Sequence, residues 1–247
     1  MANWNDPQPT RTGFGASPSF DGRVQQTAGF DAGLRKYMLS IYNYMAAGVA
    51  LTGAVAFVMA NTAFGISVMS SPLMWLIVLS PLAIVFAMSF GANRFSESTL
   101  KALFWGFAAL MGASLSTVFA VYTGASIAAT FFATAGAFAG LSLVGYTTKK
   151  NLSGMGSFLI MGVIGLIIAS VINLFVQSSA LMWAISFLGV LIFAGLTAYD
   201  TQRLKNQYAQ LVGSEFMGKA VILGALTLYL DFINMFQFLL MFMGQRD

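Results

Sequence analysis

Seven long apolar runs dominate the sequence and limit what this chain can fold into. Each run is close to the length of about 17–25 residues that a helix needs to cross the hydrocarbon of a bilayer. Helices satisfy their own backbone hydrogen bonds in lipid, and the runs lack the alternation of barrel strands. The sequence therefore predicts an all-α integral membrane protein, a bundle of seven transmembrane helices. The predicted spans are Tyr37–Ala60, Leu73–Phe90, Leu100–Tyr122, Ala125–Tyr146, Met155–Val176, Ala180–Tyr199 and Ala220–Met243.

The composition supports a membrane protein and removes several kinds of chemistry. Of the 247 residues, 58% are hydrophobic and 8% are charged, whereas soluble domains carry about 25% charged residues. The chain has no cysteine and no histidine, which excludes disulfide frameworks, thiolate or imidazole metal sites and Ser-His-Asp hydrolases. Proton chemistry must then come from carboxylates, tyrosine or lysine. We expect no enzymatic activity and no resident cofactor.

The basic residues predict the orientation. We expect a flexible cytoplasmic arm over residues 1–34, followed by the membrane domain over residues 35–247. Eleven of the twelve Lys and Arg residues fall in this arm or in loops on the same side, which places the N-terminus in the cytoplasm and the C-terminus outside. This topogenic role explains the net charge of +4 better than nucleic-acid binding does. The eleven are Arg11, Arg23, Arg35, Lys36, Arg94, Lys101, Lys149, Lys150, Arg203, Lys205 and Lys219.

Short links and glycines predict local packing. The joint Thr123-Gly124 and the link Gln177-Ser178-Ser179 are tight, so spans three and four, and spans five and six, are expected to form hairpins. Small residues let helices approach closely. We therefore expect close contacts at Gly136-xxx-Gly140 in span four and at Gly162 and Gly165 in span five.

Two acidic residues touch the spans. Asp200 ends span six on the cytoplasmic side, and Asp231 lies inside span seven. A charged residue inside a span costs at least about 2.5–3.5 kcal/mol on insertion scales, and is a functional candidate by default. Two structural alternatives remain open. Asp200 could be an interfacial carboxylate paired with Arg203, and Asp231 could be a protonated acid that is hydrogen-bonded to a neighbouring helix.

Polar residues around the aspartates predict which helix faces the interior. Tyr229 and Asn234 form a polar stripe with Asp231, so span seven is the candidate for the central helix. Further polar support is expected from Tyr199 and Arg203 in and after span six, and from Asn43 and Asn173 in spans one and five. Whether the aspartates meet depends on where span seven begins, because an early start would place Asp231 about 16 Å deep.

A pair of carboxyl groups in a low-dielectric site would share a proton, since both cannot ionise cheaply. Loss of that proton would create repulsion between helices six and seven, which is a pH-operated latch that needs no histidine. The ionised pair of Asp200 and Asp231 would also offer oxygen ligands to Ca²⁺. If the two residues meet, the sequence thus permits a pH-operated latch with transient Ca²⁺ binding.

Two motifs carry a resemblance to a known family. Thr197-Ala198-Tyr199-Asp200-Thr201-Gln202 closes span six, and Leu228-Tyr229-Leu230-Asp231-Phe232-Ile233-Asn234 lies in span seven. Together they resemble the Bax-inhibitor family (transmembrane Bax-inhibitor-motif, YccA-like) and its bacterial members. The resemblance extends from about Arg35 to Gly244. It departs in span two, which carries no acid.

The resemblance implies a fold and several functions. It implies seven spans wrapped around a central last helix, with the two aspartates as a proton-sensitive pair. Members of the family are described as pH-sensitive calcium leak channels, as suppressors of cell death, and in bacteria as modulators of a membrane-bound ATP-dependent protease. It also implies a location in the bacterial inner membrane. The resemblance therefore implies a pH-sensitive calcium leak channel with Asp200 and Asp231 as its pH sensor and gate.

Other functions compete with this interpretation. A modulator of a membrane-bound ATP-dependent protease would use the arm for docking and need no transport. A proton-coupled transporter would also use the two aspartates to bind a proton. It would differ from a channel by saturable counterflow of its substrate. An intramembrane aspartyl protease resembles the Tyr-Asp and Asp pairing, but Gly-x-Gly-Asp is absent at Asp231. A retinal protein needs a lysine within span seven, where Lys219 lies only at the edge.

Overall fold

The chain folds into helices that match all seven predicted spans. The computed structural model describes residues 20–245, with side chains from Gly29 onward. It is 88% helical, with no strand among the described residues. Seven of the helices are long and apolar enough to cross a membrane. The helices are α1 (Phe20–Asn61), α2 (Ala63–Met69), α3 (Leu73–Gly91), α4 (Glu97–Leu115), α5 (Gly124–Thr147), α6 (Ser153–Val176), α7 (Ser179–Leu211) and α8 (Met217–Met243), with a 3₁₀ turn at Ser116–Ala120 after α4.

Two helix boundaries differ from the predicted spans. Helix α1 begins at Phe20, inside the segment predicted as an arm, so residues 20–34 are helical, while residues 1–19 lie outside the described part. Helix α7 continues to Leu211, well past the predicted end at Tyr199. No Gly or Pro occurs between Asp200 and Leu211 to end it, and Leu204 and Tyr208 in this extension are buried. Helix α7 therefore does not end at Asp200 but continues for a further eleven residues.

Side-chain caps begin several helices at the predicted links. Thr123 caps α5 by accepting a hydrogen bond from the backbone N–H of Ser126, and Ser178 caps α7 by accepting one from Leu181. Gln177, between α6 and α7, has a left-handed backbone with φ of 51° and ψ of 35°. This conformation closes the short link, and it normally favours glycine or asparagine.

Substitution of Gln177 by glycine is expected to stabilise the protein. The left-handed conformation penalises a side chain more than the added freedom of glycine costs in the unfolded chain, for a net gain of roughly 0.5–1 kcal/mol. Thermal unfolding in detergent measures the change. The matched control is Gln207→Gly, an exposed position one turn before the end of helix α7, which should lose about 1 kcal/mol. Equal losses in both variants would contradict the strained cap.

The last helix is the most enclosed of the seven spans. Half of the most apolar stretch of α8 is buried, against 11–33% for the other spans. Helix α4 packs against α3 and α8, whereas α5 packs against α7 and α8. Since α8 packs against both α4 and α5 and lies between them, the prediction that spans three and four pack together as a hairpin is wrong. The predicted hairpin of spans five and six is confirmed, since α6 packs along α7.

Glycines allow two close backbone approaches. A Cβ atom at Gly112 of α4 would meet the backbone of Thr52 in α1, and one at Gly145 of α5 would overlap the carbonyl of Ala198 in α7. The predicted contacts at Gly136, Gly140 and Gly165 are wrong, since a Cβ there would meet no atom within 4 Å. Of the predicted glycines, Gly162 does face a neighbour, the side chain of Ile192 on α7.

Candidate functional site

Helices α7 and α8 bring the two predicted aspartates together. Asp200 is 5% exposed and Asp231 is 4% exposed. Asp200 lies about 17 Å before the end of α7, and Asp231 about 21 Å after the start of α8, at 1.5 Å per residue. The two helices are antiparallel neighbours, so these distances place both residues at a similar depth. The extension of α7 to Leu211 thus removes the difference in depth that the predicted spans left open.

Two glycines on the facing helices bracket this pair. The ring of Phe238 on α8 packs against Gly189 of α7, and the side chain of Leu204 on α7 packs against Gly224 of α8. A Cβ at Gly224 would lie 2.9 Å from Cδ2 of Leu204. These contacts, one on each side of Asp200 and Asp231 along the helices, hold α7 and α8 close enough for the carboxyl groups to meet.

The two carboxyl groups lie within hydrogen-bonding reach of each other. Each nevertheless keeps one buried oxygen with no hydrogen-bond partner, Oδ1 of Asp200 and Oδ2 of Asp231. A buried acceptor without a partner costs about 1–3 kcal/mol. Packing alone does not explain two such groups in one place, so the pair has the character of a functional site.

Arg203 is the charged partner of this pair. Its Nη2 lies 2.9 Å from Oδ1 of Asp200, and its side chain is 40% exposed. The two atoms are at ion-pair distance but are not aligned as a hydrogen bond, since that oxygen and Nε of Arg203 both lack one. The guanidinium also lies 5.8 Å from the ring centroid of Tyr199. Arg203 therefore stands between the buried carboxyl groups and the surface.

Two open clefts flank Arg203. The α7–α8 cleft has a volume of about 280 Å³, and the α6–α7 cleft has a volume of about 170 Å³. Both are lined by Arg203, Gln207 and Gln210 of α7. They lie at the end of the bundle where α7 ends and α8 begins, which we name the basic end because Lys149, Lys150, Lys205 and Lys219 are at or near its loops. Polar side chains thus lead from this end towards the pair.

The other predicted polar residues are placed differently. The hydroxyl of Tyr229 lies 2.6 Å from Oγ1 of Thr52 on α1, away from Asp231. Asn234 donates to the carbonyl of Leu230 on its own helix at 2.8 Å. Asn43 is exposed, so the prediction that it completes a polar interior is wrong.

Asn173 and Tyr199 complete the set of predicted polar residues. Asn173 accepts a hydrogen bond from the backbone N–H of Ser178 in the α6–α7 link. This places it at the end of α6, and the prediction that it lines the interior is also wrong. Tyr199 is half-buried, and its ring packs on Gly156 of α6. Tyr199 lines the α6–α7 cleft together with Arg203.

The family of this chain is shown by comparison with known proteins. The sequence model of the family described as "Inhibitor of apoptosis-promoting Bax1" matches residues 34–247.

The chain belongs to the Bax-inhibitor family.

Its relatives match along most of their length. A protein of Caulobacter vibrioides is 49% identical over 87% of this chain and 90% of the relative. The inner membrane protein YbhL of Escherichia coli is 46% identical over 87% of this chain and 94% of YbhL. A Rickettsia prowazekii protein is 46% identical over 88% of this chain and 92% of its own length. This Bax-inhibitor family member is therefore embedded in the bilayer, as its seven apolar helices also indicate.

Near the aspartate pair of this Bax-inhibitor family member, two residues that the sequence did not single out make hydrogen bonds between elements. Gln202, two residues after Asp200, donates to the carbonyl of Lys150 and accepts from the N–H of Leu152, both at 2.8 Å. Lys205 donates to the carbonyl of Tyr146 at 2.7 Å. These bonds fasten the loop between α5 and α6 to α7. In the sequence, Gln202 stands out only as the last residue of the Tyr-Asp-Thr-Gln motif. Its hydrogen-bond partners could be identified only from the structure.

The described acidic residues of this Bax-inhibitor protein are too few in one place to surround a Ca²⁺ ion on their own. Among the residues that the structure describes, no three acidic side chains come together. Ca²⁺ takes about 6–8 oxygen ligands, and Asp200 and Asp231 supply only part of such a shell.

Proposed function

We propose that this Bax-inhibitor family protein is a pH-sensitive cation leak channel, with Ca²⁺ as the favoured ion and Asp200 and Asp231 as its pH sensor and gate. The observation that carries the proposal is the pair of buried carboxyl groups, side by side, each with an oxygen that has no hydrogen-bond partner. Ionisable groups inside membrane spans mark ion and proton pathways. The polar clefts at the basic end give such a pathway an entrance.

The proton content of the pair would set its conformation. With a shared proton, Asp200 and Asp231 carry a single negative charge, which Arg203 balances at 2.9 Å. When the proton is lost, two negative charges face each other where solvent screens them weakly, and they repel. The repulsion would separate α7 from α8 and at the same time expose oxygen ligands to a divalent cation.

Phenyl rings of α5 and α8 pack together next to Asp231, which would keep the proposed ion pathway closed in this conformation. The ring of Phe232, next to Asp231, packs against Phe131 and Phe138 of α5 with centroids 5.6 Å apart in both cases. Phe236, one turn further, also contacts Phe131. Hydrophobic constrictions gate channels by excluding water. Conduction would require these rings to move, and movement of α8 would supply that displacement.

We propose that the protein lies in the inner membrane with its N-terminus in the cytoplasm and its C-terminus outside. Two facts support this orientation. The E. coli relative YbhL is named as an inner membrane protein. The loops at the basic end carry the lysines, which favour the cytoplasmic side. In this orientation the clefts beside Arg203 open towards the cytoplasm.

Calcium flux into proteoliposomes tests the function. The wild-type protein should give a Ca²⁺ flux that rises with pH, because proton loss opens the pair. Asp231→Asn removes one of the two charges, so its flux should lose most of the pH dependence, and Asp200→Asn should behave alike. The matched control is Glu215→Gln, an exposed acid in the loop between α7 and α8, which should keep the wild-type response. Wild-type flux no higher than in empty vesicles would refute the proposal.

A further inference from the structure

We propose that the α7–α8 and α6–α7 clefts form one water-filled vestibule that ends at the aspartate pair, and that Arg203 is a tethered cation that must leave Asp200 before a free cation can enter. The inference deepens the proposed function, on which it rests for the identity of the permeant ion. It stands on the positions of the cleft walls, on the contacts of Arg203 and on the carboxyl oxygens behind it.

Both walls of the α7–α8 cleft lead to the pair. On α8 the wall contains Ala220, Gly224 and Thr227, and residues three or four apart lie on the same helix face. Asp231 is the next residue in this series, one turn beyond Thr227. On α7 the wall contains Gln207 and Arg203, and Asp200 follows one turn beyond in the same way. The cleft therefore points at the carboxyl groups from two helices.

The clefts have the size and lining that water needs. Their volumes of about 280 and 170 Å³ compare with roughly 30 Å³ for one water molecule in the liquid. Gln207 and Gln210 offer amide groups to both clefts, and Thr227 offers a hydroxyl to the α7–α8 cleft. Water ordered by these groups can hydrate an ion up to the point where Arg203 stands.

Arg203 occupies the position that a cation entering from the clefts would take. It lines both clefts, and its Nη2 lies 2.9 Å from Oδ1 of Asp200. The ion pair is not aligned as a hydrogen bond, and Nε of Arg203 has no partner. Because Asp200 is buried, departure of Arg203 would leave the carboxylate without its balancing charge, so the guanidinium leaves when another cation takes its place.

No other described basic residue is placed to do this. Lys205 is held by the carbonyl and ring of Tyr146, on α5. Lys219 lies over the ring of Phe216, 5.8 Å from its centroid. Of the described charged groups, Arg203 is the cation whose field reaches both Asp200 and Asp231. The structure therefore assigns the separation of vestibule and pair to Arg203.

Cysteine labelling tests the vestibule without any measurement of flux, because the chain has no cysteine of its own. Thr227→Cys in the full-length protein should react with small charged methanethiosulfonate reagents. Gln210→Cys, at an exposed position lining both clefts, gives the fastest reaction rate expected. Thr134→Cys, at a fully buried position on α5, gives the slowest. A rate for Thr227→Cys near that of Gln210→Cys supports the vestibule, whereas a rate as slow as that of Thr134→Cys overturns it.

A second comparison tests the role of Arg203. Asp231→Cys places the thiol at the pair itself, and adding Arg203→Gln should speed its modification by at least about fivefold, the factor that corresponds to about 1 kcal/mol. Anionic and cationic reagents should both react faster if Arg203 blocks the way. Opposite changes for the two reagents, or no change, overturn the assignment. Labelling that behaves as expected in a protein without Ca²⁺ flux would leave the vestibule intact and refute only the leak.

Discussion

Replacing Gly145 by alanine is expected to destabilise the protein by more than the roughly 1–3 kcal/mol that overpacking a core usually costs. The added Cβ would overlap the backbone carbonyl of Ala198 on α7. A backbone carbonyl cannot turn away as a flexible side chain can, so α5 and α7 must separate. Ala198 lies two residues before Asp200, and the separation would also displace the aspartate pair. Thermal unfolding in detergent measures the loss.

Gly140→Ala in the same helix is the matched control. A Cβ at Gly140 would meet no atom within 4 Å, so only the helix preference changes, and alanine should stabilise by about 0.5–1 kcal/mol. The two substitutions are thus expected to change stability in opposite directions. If both variants were more stable than the wild type, the close approach of α5 to α7 at Gly145 would be refuted.

Replacing Tyr229 by alanine is expected to cost about 3–5 kcal/mol, the range measured for large aromatic side chains in cores. Tyr229 is fully buried. Its ring packs edge-on against Phe104 and Phe107 of α4, with centroid distances of 6.2 and 5.1 Å. Loss of the ring would leave a cavity where α1, α4 and α8 meet. Thermal unfolding of the purified variant measures this loss.

A double-mutant cycle isolates the hydroxyl of Tyr229. Thr52 donates to the carbonyl of Ala108 at 2.8 Å, so in the 2.6 Å contact between the two hydroxyls Tyr229 is the donor. Tyr229→Phe alone should cost about 1 kcal/mol. In a Thr52→Val background it should cost less, because the tyrosine hydroxyl has already lost its acceptor. Additive losses would argue against this hydrogen-bonded chain.

The seven spans could be predicted because the signal is local. Each needs only a long apolar run, and the runs match the seven long helices. The aspartate pair could also be found, since Asp200 and Asp231 are the acids that remain once arm, loops and tail are assigned in a chain without histidine. Their mutual approach could not be derived, because it depends on α7 continuing through the polar stretch to Leu211.

Helix neighbours could not be predicted from chain order. The short joint at Thr123 suggested that α4 and α5 pack together, but α8 takes the space between them. The glycine pattern failed for a related reason. Spacing shows which glycines share a face, but not whether that face meets another helix, and Gly145 rather than Gly136 or Gly140 meets one. The prediction for Asn43 was wrong for the same reason, because a polar residue type does not show which face of the helix is turned towards the interior.

The position of α8 between α4 and α5 has a consequence for biosynthesis. Translation proceeds from the N-terminus, so α4 and α5 enter the membrane before the helix that separates them. Until α8 arrives, Asp200 has no partner carboxyl and the packing surfaces of α4, α5 and α7 face lipid. The aspartate pair is thus completed when the last helix joins the bundle, and a chain that ends before α8 cannot contain it.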